Sequence, residues 1–291
     1  YSDYNAQWCN ITDDETQVVC MTAPGVGGYH WWTISAGGQW SNASTNITFY
    51  RSPNITKLSP MSGPSTGGTI LTISGNNFGL STFPRGRVIV TVGSRLPCSL
   101  ISQDHTEIVC EMPAHPFGVA NLTLTVDGQE TVQGEVLFYY YEVGMIFEDF
   151  GPLRGSTSVA IFGRGFVGVD GFVGVRFGSG GSLEVNGTLR SSEEIRCFTP
   201  SNIAGFALPR LSLNNQTWTN TTNRFYYYPD PILTGLSPKL GPLRGETVVD
   251  MYGYNFFNTS TVRALFNGIE ATDCSLQLTR SGTYGGHSGL D

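Results

Sequence analysis

Gly63-Pro64-Ser65-Thr66-Gly67-Gly68 is the stretch on which the reading of this chain turns, because it recurs. It returns as Gly151-Pro152-Leu153-Arg154-Gly155-Ser156 and again as Gly241-Pro242-Leu243-Arg244-Gly245-Glu246, at offsets of 88 and 90 residues. Self-similarity at a fixed period marks repeated structural units. Upstream, Ile55-Thr56-Lys57-Leu58-Ser59-Pro60 matches the Ile232 to Pro238 segment. Downstream, each copy has a β-rich run and then a glycine-centred turn. Those turns are Gly75-Asn76-Asn77-Phe78, Gly163-Arg164-Gly165-Phe166 and Gly253-Tyr254-Asn255-Phe256. Aromatics close the units at Phe49-Tyr50, Phe138 to Tyr141 and Phe225 to Tyr228.

The composition agrees with many short strands joined by tight turns. The 291 residues include 37 glycines, and only 13% are charged. No window of helical length places apolar residues at i, i+3, i+4 and i+7, so the class is all-β. A β-sandwich of immunoglobulin type takes about 100 residues, which leaves room for two to three units. The net charge is −7, and Lys57 and Lys239 are the only lysines. That balance disfavours nucleic acid and anionic membrane as partners. No apolar run is long enough to span a bilayer.

In order, the motifs read Ile-x-x-Leu-x-Pro, Gly-Pro-x-x-Gly-Gly, β-run, Gly-x-x-Phe, Cys, Cys-x-x-Pro, β-run, Phe-Tyr. This resembles the IPT/TIG family, immunoglobulin-like modules found in plexins, hepatocyte-growth-factor-type receptors and Rel-type transcription factors. The resemblance covers essentially the whole chain. It implies tandem immunoglobulin-like β-sandwiches in an extended rod, and it implies little about function, because the fold is a scaffold. Registering the copies gives complete modules at 54–141 and 143–228. Residues 1–51 are expected to be the back part of an earlier module, and 231–291 the front part of a later one. Half a sandwich cannot bury a core, so the expectation is a longer natural polypeptide or strand exchange between neighbouring copies.

Two runs show the period of two expected of strands. In Asn121-Leu122-Thr123-Leu124-Thr125-Val126 the apolar residues should face the core and Asn121 the solvent. Arg87-Val88-Ile89-Val90-Thr91-Val92 is the other such run, and Leu71 and Ile73 are further core candidates. Gly-Pro-x-x-Gly is expected to be a turn, with proline fixing φ and glycine taking positive φ. Linkers are expected at Ser52-Pro53, around Glu142 and at Pro229-Asp230-Pro231, short enough to stiffen the joints.

Asn-x-Ser/Thr acceptors occur at Asn10, Asn42, Asn46, Asn54, Asn121, Asn186, Asn215, Asn220 and Asn258. Nine in this length point to the secretory route, an extracellular or cell-surface location, and covalent N-linked glycans; no other cofactor is expected. Cys9 with Cys20, and Cys98 with Cys110, occupy matching repeat positions and are expected to form intradomain disulfides. Cys197 holds the second-cysteine position of its module with no partner near Asn186. A buried inert thiol and an intermolecular disulfide are both open readings of it. Cys274 holds the first position of the last module.

Other constellations carry less. Cys98, His105, Cys110 and His115 match no zinc spacing. Gly163-x-Gly165-x-x-Gly168 imitates a dinucleotide fingerprint, but a glycine-rich β-like run follows it where a helix is required. Asp13-Asp14-Glu15 and Glu193-Glu194 read as solvated loops rather than acid/base pairs or calcium ligands. His30 and His287 look isolated. Trp31, Trp32 and Trp40 are dense for one sheet, and read either as core packing beneath a sugar or as a contact patch. No catalytic or metal-binding set stands out, so an enzyme is not expected. The expected role is a glycosylated structural protein of a fibre, surface appendage or coat, partnered with itself or with other extracellular proteins. The alternative is the stalk of a receptor or adhesion ectodomain.

Overall fold

The computed structural model describes residues 4–81, 88–93, 96–131, 134–178, 183–257, 262–271 and 274–275. All regular elements among them are strands. Alternating side chains decide which face of each strand is buried. Ile70–Asn76 buries Leu71 and Ile73, while Gly118–Val126 buries Ala120, Leu122, Leu124 and Val126 and leaves Asn121 exposed. Ser99–Gln103, Glu107–Glu111, Ile70–Asn76 and Asn54–Ser59 pair in that order as one antiparallel sheet. Leu96–Pro97, Val88–Val92, Gly118–Val126 and Leu137–Phe147 form the second sheet. The apolar side chains of both sheets meet in one core that includes Phe78, Ile108 and Phe138. Arg87 lies outside the described residues.

A second core follows the same plan. The C-terminal half of Leu137–Phe147 pairs with Ser158–Arg164, which pairs with Glu194–Phe198 and then Thr188–Leu189. Leu183–Asn186, Gly174–Phe177, Arg210–Ser212 and Thr219–Asn220 form another antiparallel sheet. Phe150–Pro152, Phe225–Tyr228 and Gly205–Ala207 form a third. Val159, Ile161, Phe177, Leu211 and Phe225 are fully buried between them.

The repeated motifs are the fasteners of each sandwich. Ser62–Pro64 runs parallel to Tyr139–Tyr141, and Phe150–Pro152 runs parallel to Tyr226–Tyr228. The Gly-Pro that opens a repeat is thus hydrogen-bonded to the aromatics that close it. The turn expected in this motif is present, from proline to the second glycine, while the Gly-Pro before it is held in strand. The amides of Gly67, Gly155 and Gly245 donate back to the carbonyls of Pro64, Pro152 and Pro242 at 2.9–3.0 Å. These three glycines have φ of 78°, 78° and 83°, a region costly for other residues. The Gly-x-x-Phe turn has a different cause. A Cβ on Gly75 or Gly163 would run into the carbonyl oxygen of Asn54 or Glu142, and into the ring of Phe78 or Phe166. Glycine there lets the first strand and the aromatic ring close on the same spot.

Around Glu142 the structure departs from expectation, for no linker exists there. Leu137–Phe147 is one eleven-residue strand, and Glu142 pairs with Arg164 in its middle. The outer segments contain only short pairings. Residues before 50 pair as Trp8–Ile11 with Val18–Met21, His30–Trp31 with Ile47–Thr48, and Ser35–Ala36 with Gln39–Trp40. Beyond 231, Ile232–Ser237 pairs with Asp250–Tyr254, and Leu265–Phe266 with Ile269–Glu270.

Gly163→Ala is expected to destabilise the second sandwich by about 1–3 kcal/mol, the usual range for overpacking. Gly134→Ala, where a Cβ meets nothing within 4 Å, is the control and should stay within ~0.5 kcal/mol. Urea midpoints measure both, and equal midpoints would refute the close-approach account.

Candidate functional site

The joint between the two complete cores is the most elaborate polar constellation in the structure. Adjacent residues of a strand point to opposite faces. Tyr140 therefore enters the first core and Tyr141 the second, both fully buried. The Tyr140 hydroxyl donates to the Pro113 carbonyl at 3.0 Å. The Tyr141 hydroxyl accepts from the Leu213 amide at 3.4 Å, and burial pushes its pKa up to about 12.

Side chains of the second sandwich then grip backbone of the first. The Asp170 carboxylate accepts from the Met61 amide at 2.7 Å and from the Ser62 hydroxyl at 2.6 Å. The Asn214 amide donates to the Ser62 carbonyl at 2.8 Å. Gln216 pairs with both backbone groups of Ile70, accepting from its amide at 2.6 Å and donating to its carbonyl at 3.0 Å. The hydroxyls of Thr69 and Thr217 share a hydrogen bond of 3.1 Å. The gripping loop is itself fixed, because the Asn214 side-chain oxygen accepts from the amides of Gln216 and Thr217, each at 2.9 Å. This is the local turn that Asn side chains favour. Sequence reasoning did not single out Asp170, Asn214, Gln216 or Thr217. The only local signal was Asn214 two and three residues before the amides it caps.

Neighbouring joints are lighter. The Asn77 side chain donates to the Ser52 carbonyl at 3.0 Å, and Asn255 repeats this on the Asp230 carbonyl at 3.2 Å. Phe257 stacks on Tyr228 with centroids 4.8 Å apart, and Arg154 pairs with Asp230 at 2.7 Å.

Of the nine acceptor asparagines, Asn258 lies outside the described residues. Asn10, Asn42, Asn46, Asn121, Asn186, Asn215 and Asn220 are exposed, and Asn54 is half-buried. The Asn121 side-chain oxygen accepts from the Val136 amide at 2.9 Å. Asn215 has φ of 56° and sits in the gripping loop. The three tryptophans are not in one sheet. Trp31 and Trp40 lie in separate strand pairings and are 63% and 73% exposed. Trp32 is half-buried and donates to the Thr48 hydroxyl at 3.2 Å.

Cys9 is bonded to Cys20, and Cys98 to Cys110. That bond removes Cys98 and Cys110 as zinc ligands, while His115 stacks on Tyr140. Among the described residues, no group of three or more His, Cys, Asp and Glu side chains could hold a metal ion. Asp14 accepts from the hydroxyls of Thr12 and Thr16, which lowers its pKa to about 2, so the first acidic loop is a self-bonded turn. Glu194 pairs with Arg196 at 2.5 Å. His30 is packed against Tyr4 and Tyr50 and contacts the Val26 carbonyl. His287 lies outside the described residues.

The missing partner of Cys197 is Gly187. The Cys98 amide donates to the Val90 carbonyl, and the Gly187 amide donates to the Val173 carbonyl in the same way. Asn186, the position expected from the sequence, is one residue off. Cys197 is buried, and desolvation pushes its thiol up to about 12. The thiolate is the nucleophile, and a buried, desolvated thiol both forms it rarely and is shielded from reagent. Cys197 is therefore expected to resist iodoacetamide in the native chain and to react once the chain is unfolded. Peptide mass spectrometry measures both states, and a native labelling rate comparable to that of the unfolded chain would contradict the buried-thiol assignment.

With this geometry in place, comparison with known proteins is specific. Residues 53–140 match the IPT/TIG domain. The chain is 30% identical over 225 residues to fibrocystin-L of Homo sapiens, covering 75% of this chain and 5% of that protein. It is 28% identical over 285 residues to plexin-A3 of Rattus norvegicus, covering 93% and 14%. A solved plexin A4 full extracellular region is 19% identical and covers 91% of this chain and 26% of that one, with a TM-score of 0.40. The chain thus spans only a small part of the curated relatives it matches. It carries an IPT/TIG domain at residues 53–140, and its likeness to fibrocystin-L and plexin-A3 agrees with an extracellular or cell-surface location.

Proposed function

We propose that this chain is part of the stalk of a cell-surface receptor or adhesion ectodomain. In this role, serial sandwiches set the distance and direction of a recognition domain elsewhere in the polypeptide. The observation that carries the reading is the joint at Tyr140 and Tyr141. One strand passes through two cores, and Asp170, Asn214, Gln216 and Thr217 fix the angle between them. A flexible tether needs neither feature. A stiff spacer, part of a rod, needs both. The likeness to plexin-A3 and fibrocystin-L supports a stalk over the free-standing fibre, coat or homopolymer expected from the sequence.

The stalk is non-catalytic in this proposal, and its partners are other extracellular proteins. The exposed sequon asparagines carry N-linked glycans that sheathe the sheets. Attached sugars add bulk and solubility at the surface. No helix of the described residues is long and apolar enough to cross a membrane.

Electron microscopy of the purified secreted protein is expected to show separate elongated particles of fixed length. Polymers with a regular axial repeat would overturn the stalk and restore the fibre. Glycosidase treatment is expected to lower the mass of the protein, and an unchanged mass would remove the glycan sheath.

A further inference from the structure

The acceptor at Asn215 differs from the others in what holds it. The sequon is Asn215-Gln216-Thr217, and two of its three side chains belong to the grip between the sandwiches. Gln216 is bonded to both backbone groups of Ile70, and the Thr217 hydroxyl is bonded to that of Thr69. The Asn214 side chain caps the amides of Gln216 and Thr217, and Asn215 is left with positive φ and an exposed side chain. Asn186 and Asn220 lie in or at the end of strands within the second sandwich, and neither is among the side chains bonded across the joint.

We propose that Asn215 is glycosylated only before the two sandwiches dock, and that closing of the joint ends its availability. A transferase must seize the sequon as a segment, including the threonine hydroxyl two residues after the asparagine. In the closed joint that hydroxyl and the intervening glutamine are engaged by Thr69 and Ile70. Seizing the segment therefore means opening the grip, and a segment with several buried or paired polar contacts opens rarely. Docking does not exclude a sugar already in place, since the Asn215 side chain faces outward. Occupancy at this one site is set by a race between sugar transfer and joint closure. Asn186 and Asn220 race only against the folding of their own sandwich. This inference rests on the reading of the chain as a secreted glycoprotein.

Site-by-site peptide mass spectrometry of the full chain, secreted from cells that perform N-glycosylation, tests it. Asp170→Ala weakens the grip and leaves the three sequon residues unchanged, and Thr69→Val, which removes the hydroxyl bonded to that of Thr217, is a second change that does so. Both are expected to raise the ratio of occupied to unoccupied Asn215 at least about two-fold over the unchanged chain. Asn186 and Asn220 should stay constant. If Asn215 occupancy is the same in all three proteins, including the case where it is complete in each, the proposal is overturned while the glycoprotein reading stands. An equal rise at Asn186 and Asn220 also overturns it, because the effect would then be general slowing of folding. Bare asparagine at every site overturns the glycoprotein reading and this proposal with it.

Discussion

A strand has two faces, and the chain uses both faces of a single strand to hold two cores. Leu137–Phe147 donates Phe138 and Tyr140 to one sandwich, then Tyr141, Val143 and Ile146 to the next. No residue lies between the two assignments. Ordinary tandem domains are separated by a linker in which backbone rotations accumulate. Here the strand is laddered on both sides of the crossover, with Gly118–Asn121 and Ser62–Pro64 before it and with Ser158–Arg164 after it, the register shifting between Val143 and Ile146. Rotation at the joint would break those ladders. The orientation of the second sandwich is consequently fixed by strand geometry before any side chain of the grip is counted.

The grip then makes sense as a consequence of that closeness. Bringing two sandwiches together without a spacer leaves backbone of Met61, Ser62 and Ile70 facing the neighbour, and buried polar groups must find partners. Asp170, Asn214 and Gln216 supply them, each through a side chain from a loop of the second sandwich. The turn position shared by all repeats reports the same difference. Asn77 and Asn255 have left-handed backbone and reach to a linker carbonyl. At the tight joint the equivalent residue is Gly165, where a Cβ would lie 2.6 Å from the Tyr140 carbonyl oxygen. Asparagine suits a joint with a spacer, and glycine suits one without.

What the sequence disclosed and what it hid divide along this line. The sandwich fold was readable because its determinants are local and repeated. Leu71, Ile73, Leu122 and Leu124 sit at period two, and Gly75 and Gly163 mark places where two backbones approach. The disulfide pairs were readable from repeat position alone. The joint was not readable, because it depends on residues 61 to 70 meeting residues 170 to 217, and no periodic pattern encodes contacts over such separations. Glu142 looked like a boundary since it follows the aromatic run that closes a repeat. Its backbone in fact continues the same ladder. The tryptophans were dense along the chain but not in space, since Trp31 and Trp40 stand on separate two-residue strand pairings.

Cys197 shows how far a repeat can drift while its geometry stays fixed. In the first sandwich, a disulfide ties Cys98 to Cys110 beside Leu71 of the neighbouring strand. In the second, Cys197 occupies the place of Cys110 and pairs across to Val159, but the partner position has become Gly187. A Cβ at Gly187 would lie 2.7 Å from Val173 and 3.0 Å from Ile195, so apolar side chains have moved into the space of the lost sulfur. A disulfide stabilises chiefly by restricting the unfolded chain, whereas packing stabilises the folded one. At this place the first sandwich uses the former and the second the latter. The second is also the sandwich whose loops grip its neighbour, so the bonds of the joint couple its packing to that of the disulfide-bonded sandwich.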